Sequence, residues 1–155
     1  MRIPILLAVI YLMYASAAGA QSRVLQPSTE LSAEDVVSIQ LKALSETEND
    51  PATDSGVRRV WAFAHPKNKR LTGPLSRFRA MLRTRAYRPL IGHRRHFMRQ
   101  VSQSANQAHF AIRVTSANGA VWGYSWRVAK VGEGAQKGMW MTTGVVLVGK
   151  LGNAL

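Results

Sequence analysis

No cysteine occurs in the 155 residues, so disulfides, thiol nucleophiles, Cys-ligated zinc, iron–sulfur clusters and a lipid-modified cysteine are all excluded. A folded domain here must be held by its core and hydrogen bonds alone. Acid is nearly as scarce: 8 Asp and Glu stand against 21 Lys and Arg, for a formal charge of +13. From Ser55 to Gly132 there is no acid at all, while 16 basic residues occur, 13 of them arginine. An imbalance of this kind speaks to association with anionic surfaces, glycans or acidic proteins rather than to fold. Long apolar runs are absent beyond the first 20 residues, and there are no repeats or low-complexity segments.

That first stretch has the layout of an export signal. Arg2 precedes an uncharged run from Ile3 to Met13, and small residues follow, ending Ala18-Gly19-Ala20. Small side chains one and three before the cut place cleavage before Gln21, with Ala15 and Ala17 marking a less favoured site. An uncleaved anchor is the competing reading, disfavoured by the Ser and Gly near the end of the run. Cleavage leaves a periplasmic or secreted chain of 135 residues with a charge of +12, a length suited to one domain.

Residues 21–31 read as a polar, flexible lead, and 32–148 as one α+β domain followed by a tail over 149–155. Ser32 three residues before Asp35 is a capping box, and Val36, Val37, Leu41 and Leu44 recur at helical spacing, so a helix is expected over about 33–47. Asn49-Asp50-Pro51 stops it. A second helix runs from near Ser55, with Asp54 as its cap, and ends before Pro66. Gly73-Pro74 opens a third through about Arg83, with Leu75, Phe78, Met81 and Leu82 on one side and Arg79 and Arg83 together on its edge. The pattern then changes to strands over 96–102, 107–116, 120–131 and 139–148. Helices followed by a four-stranded antiparallel meander is an α+β order.

Asn118-Gly119 leaves two hairpin registers in competition. A two-residue turn would make Trp122, Tyr124 and Trp126 face away from Phe110, Ile112 and Val114, leaving both faces of the pair mixed. A three-residue loop, Ala117-Asn118-Gly119 with Gly119 left-handed, gathers all six on one face, and is preferred. The other face then carries His109, Arg113, Thr115, Ser125 and Arg127.

Several segments together resemble domain-of-unknown-function family 4864, found in exported bacterial and plastid-related plant proteins. They are Glu34-Asp35-Val36-Val37 with Ile39-Gln40-Leu41, Trp61-Ala62-Phe63-Ala64 with Pro66 and Asn68, and Thr72-Gly73-Pro74-Leu75 with Phe78. They continue with Tyr87, Pro89-Leu90, Gly92-His93-Arg94 and Trp140-Met141-Thr142-Thr143-Gly144-Val145. The likeness spans about Ser32 to Val146. It implies a helix-then-sheet cone of the nuclear-transport-factor-2 type enclosing a pocket, and no set activity. This chain departs in the arginine series Arg77, Arg79, Arg83, Arg85, Arg88, Arg94, Arg95 and Arg99.

Enzymes that resemble such a cone place a carboxylate or His in the pocket as general base. The strands here supply no carboxylate, and Glu34, Asp35 and Glu46 face solvent, so binding is favoured over catalysis and no catalytic residue, cofactor or metal is expected. His93 and His96, three apart, would point to opposite strand faces with two arginines between them, which counts against a metal. His93, Trp122, Tyr124 and Trp126 are the pocket candidates, for a small apolar molecule. The leading expectation is a non-enzymatic module for an anionic membrane surface or polyanion: lipid, lipopolysaccharide or an acidic partner. Its anion-binding candidates are Arg79, Arg83, Arg94 and Arg95. Arg79 and Arg83 are four apart, where like charges cost roughly 0.2–0.5 kcal/mol with no evident acid to offset them. Arginine outnumbers lysine 15 to 6, which suits bidentate contact with phosphate or carboxylate. Nucleic acid is disfavoured by the export signal and by burial of the rings. A bare sheet edge and the cone's open face leave monomer and homodimer equally open.

Overall fold

Capping begins the first helix, α1 (Ala33–Glu46). The Asp35 N–H donates to Ser32 Oγ at 3.1 Å, and the Ser32 N–H donates back to the Asp35 carboxylate at 2.8 Å. The Ser32 hydroxyl donates to the same carboxylate at 2.6 Å, and this bond together with that from the Ser32 N–H holds the Asp35 carboxyl below its usual range. Val36, Val37, Leu41 and Leu44 are fully buried, and Glu34, Asp35 and Glu46 face solvent, as the periodicity requires. A computed structural model of the chain describes residues 25–47 and 54–154. The export signal, its cleavage point and the Asn49-Asp50-Pro51 stop lie outside the described residues.

Two further helices match the sequence reading: α2 (Ser55–Ala62) and, after an intervening α3 (Pro66–Thr72), α4 (Leu75–Leu82). The short α3 was not expected. Pro66 ends one helix and opens another, because its ring suits the first helical position and the His65 Nδ1 accepts the Lys67 N–H at 3.1 Å. Pro74 is the N-cap of α4 rather than its first helical residue, so the helix opens one residue later than anticipated. A 3-10 turn, Arg88–Leu90, leads into the strands.

The strands β1 (Arg95–Gln103), β2 (Gln107–Thr115), β3 (Ala120–Lys130) and β4 (Trp140–Asn153) form one antiparallel meander in the order β1-β2-β3-β4. Four helices with this open sheet make an α+β fold. The β2–β3 hairpin takes the three-residue loop. Ser116 pairs with Ala120, Gly119 has φ +83°, and Phe110, Ile112 and Val114 stand opposite Trp126, Tyr124 and Trp122. That inner face packs on α1, α2 and α4, with Phe63, Leu41, Tyr124 and Trp126 among the largest fully buried side chains. β4 is longer than expected: it takes in residues 149–153, so the anticipated tail is mostly strand. Gly149 and Gly152, together with register shifts in its pairing with β3, hide the alternation that would have marked it.

Candidate anion-binding sites

The four arginines singled out from the sequence sit on different elements and in different surroundings. Arg79 on α4 is ion-paired with Asp54, so an acid does offset its charge. Asp54 stands at the N-cap position of α2 with φ 54°, but its side chain makes no capping bond. The carboxylate is spent on Arg79 instead. Arg83 is exposed at the end of α4, and Arg94 and Arg95 are exposed where β1 begins, next to the β2–β3 hairpin.

The pocket candidates separate as well. Trp126 lines a cavity of about 130 Å³ between the helices and the inner sheet face, together with Gln40, Phe78, Met81, Thr142 and Val145. A polar thread crosses it. The Trp126 indole N–H donates to Thr142 Oγ1 at 3.1 Å, the Thr142 hydroxyl donates to Gln40 Oε1, and Gln40 Nε2 donates to the Val60 carbonyl at 3.0 Å. Tyr124 turns elsewhere, donating its hydroxyl to the Ala86 carbonyl at 2.9 Å, and burial raises its pKa. Trp122, half-buried, and His93 are outside the lining.

His93 and His96 do meet, contrary to the expectation of opposite faces, because His93 precedes β1 and is free of the strand alternation. His93 Nδ1 donates to the Leu90 carbonyl at 2.7 Å, leaving Nε2 to accept from His96 Nδ1 at 2.8 Å, with the rings 5.0 Å apart. That assignment is the neutral one for both rings. Among the described residues no third His, Asp or Glu joins them to make a metal-binding group.

The sequence reading missed a wide cleft of about 1280 Å³ where the β1–β2 hairpin, the β3–β4 loop and α3 converge. Lys67, Arg70, Arg127 and Lys130 line it against a single acid, Glu133. Gln103, Asn106, Gln107 and Gln136 add amides. The cleft is positioned by a latch. His65 N–H donates to the Thr142 carbonyl at 2.8 Å and the Thr142 N–H donates to Phe63 O at 2.9 Å, tying the start of α3 to β4. The His65 ring is buried, accepts from Lys67 N–H at Nδ1, and bonds the Lys130 backbone, so α3 and the end of β3 are held together across the cleft. Only the spacing of basic residues over 67–70 and 127–130 hinted at this, and that hint needs the fold to become a site.

Burial lowers the pKa of His65, with Lys67 and Arg70 adding to it, and burial likewise lowers those of His93 and His96. An unfolded imidazole titrates near 6.5, so below that value the unfolded chain binds more protons than the folded one, and stability falls as pH falls toward the depressed folded values. Urea midpoints measured at about pH 7.5 and about pH 5.5, where carboxylates stay ionised in both cases, are expected to drop at the lower pH. A His65→Asn, His93→Asn chain should show a flatter dependence. An unchanged wild-type midpoint would refute neutral burial of these rings.

No family model matches this chain, and no curated protein and no solved structure is similar to it at a level that carries an argument.

Proposed function

We propose that this is a non-enzymatic binding module for anionic envelope components, exported by its N-terminal signal and working through the cleft between α3 and the ends of β1–β3. The observation that carries the reading is the lining: four cations against one acid, with amides between them, in a cleft of about 1280 Å³. Guanidinium and ammonium groups neutralise phosphate, sulfate or carboxylate, and amides accept and donate to the hydroxyls that accompany such groups on lipids and glycans. A carboxylate and a titratable base brought together on a substrate would favour catalysis, but His65 has both ring nitrogens engaged and Glu133 is exposed on a loop.

Membership of family 4864 belongs to this reading. Two of its motifs meet in space, with Phe63 and Ala64 of the Trp-Ala-Phe-Ala segment bridged to Thr142 of the Trp-Met-Thr-Thr-Gly-Val segment. The cone of the nuclear-transport-factor-2 type is supported by the order of helices then meander. It carries a second reading, a pocket for a small apolar molecule, favoured by the cavity beside Trp126. At about 130 Å³ that cavity admits a ligand of benzene size.

Retention on immobilised heparin, used as a lipid-free polyanion probe, tests the first reading. The chain is expected to elute only at high salt, as charge pairing is screened. Lys67→Glu, Arg70→Glu should weaken binding roughly tenfold or more, and Arg83→Glu, Arg85→Glu on the helical side far less. Equal losses from the two pairs would replace the cleft by unspecific attraction to a basic surface.

A further inference from the structure

We infer that the outer face of the sheet is a docking surface for phospholipid bilayers with anionic headgroups. The inference rests on the anionic-partner reading above and gives it a second face and a lipid partner.

The strand register decides what that face carries. Phe97 stands opposite Arg113, Arg99 opposite Ala111, His109 opposite Arg127, and Arg95 opposite Thr115, all on the side away from the helices. Arg95, Arg99 and Arg113 therefore share the face, with Arg127 at its border with the α3 cleft, and the strands bring no acid to it because β1 to β4 contain no Asp or Glu. Bare apolar side chains lie among them: Phe97 is 56% exposed, Val148 69%, Leu151 57% and Val146 48%. The β4 irregularities produce this. Leu147 faces inward opposite Tyr124, the register then skips at Val148, and the shifted phase brings Leu151 over Gly123. A side chain at Gly123 would put its Cβ 3.2 Å from Leu151 Cδ1, so glycine keeps a shallow groove of about 280 Å³ open there. The Arg113 guanidinium sits 5.5 Å from the Phe97 ring centre, so charge and apolar surface are interleaved rather than segregated.

Charge complementarity selects the occupant. A second copy docked face to face would set arginines against arginines. The described acids lie elsewhere: Glu30, Glu34, Asp35 and Glu46 on or before α1, Glu133 in a loop, and Asp54 spent on Arg79. A water-soluble polyanion would satisfy the arginines but leave Phe97, Val148 and Leu151 in water. An anionic lipid interface satisfies both, with phosphates at the guanidiniums and the apolar side chains entering the boundary between headgroups and acyl chains.

Because the chain lacks cysteine, a single Val148→Cys substitution places one environment-sensitive fluorophore on this face, and Lys42→Cys places one on exposed α1. The full chain is used. Any membrane binding through its apolar N-terminal run is common to both labelled positions and to both lipid charges. Vesicles of phosphatidylglycerol mixed with phosphatidylcholine, at low salt, are expected to blue-shift the label at 148 and not the label at 42. Pure phosphatidylcholine vesicles should shift neither, and high salt should reverse the shift. Arg99→Ala, Arg113→Ala in the 148-labelled chain should raise the lipid concentration needed for half the shift roughly 20- to 30-fold, about fivefold for each arginine. Phe97→Ser, Leu151→Ser should raise it about tenfold.

No shift at 148 on the anionic vesicles, or the same shift at 42, overturns the docking face. If heparin retention persists in that case, the anionic-partner reading survives without it. A shift at 148 that grows with protein concentration in the absence of lipid would assign the face to a second copy and overturn the lipid proposal.

Discussion

Trp126→Ala is expected to cost about 3–5 kcal/mol of folding stability, a large share of the roughly 5–15 kcal/mol that holds a domain of this kind. Trp126 heads the largest fully buried side chains, at 1% exposure, and borders a void of about 130 Å³ beneath the helices. Deleting the ring merges its volume with that void, which the surrounding Phe78, Met81 and Val145 cannot collapse to fill without pulling α4 onto the sheet. Urea unfolding followed by far-ultraviolet circular dichroism measures the loss. Trp126→Phe keeps most of the ring and loses the indole bond to Thr142, so a smaller drop of about 1–2 kcal/mol is expected. A cost below about 1 kcal/mol for the alanine variant would show that the ring is a removable pocket wall rather than core. Heparin retention of Trp126→Phe should match the wild type, since Trp126 is not among the residues that line the cleft.

Gln40→Ala should lower stability by about 3 kcal/mol, more than its modest side-chain volume would suggest. Gln40 is 1% exposed in the middle of the apolar stripe of α1. Its amide nitrogen satisfies the Val60 carbonyl in the last turn of α2, and its oxygen accepts the Thr142 hydroxyl. Truncation orphans a carbonyl and a hydroxyl in a space that water reaches poorly, and each such loss costs about 1–3 kcal/mol. Thermal melting of Gln40→Ala, Thr142→Val and the double variant checks the cause. Thr142→Val alone removes the acceptor of the Trp126 N–H as well as the donor to Gln40, so the double variant should lose less than the sum of the two single losses. Additive losses would mean that the helix contact, not the thread, sets the cost.

The chain's local signals read clearly where one residue type has one physical reason to be present. The Ser32–Asp35 box starts α1, and Gly119 enforces the three-residue loop that aligns Phe110, Ile112 and Val114 with the β3 aromatics. α3 escaped because the helix-opening use of Pro66 depends on a cap from His65, and β4 was cut short because its glycines and bulges break the period-2 signal. Gln40 looked like any polar residue on a helix, since nothing adjacent in sequence says that Val60 and Thr142 will be its partners.

Composition and local pattern alone determine that the domain has no thiol chemistry, carries a large positive charge, and orders helices before a meander. These depend on residues counted or spaced within a few turns of chain. Where the charge acts was decided only by the tertiary structure. Arg79 looked unpaired until α2 brought Asp54 to it, and His93 and His96 looked divergent until β1 proved to begin at Arg95, which leaves His93 outside the strand alternation. Lys67, Arg70, Arg127 and Lys130 are separated by up to 63 positions, and the His65 latch to β4 and β3 is what gathers them into one cleft. The reason is general to this chain: its cations are plentiful everywhere, so their meaning lies in which acids the fold brings near and which it keeps away.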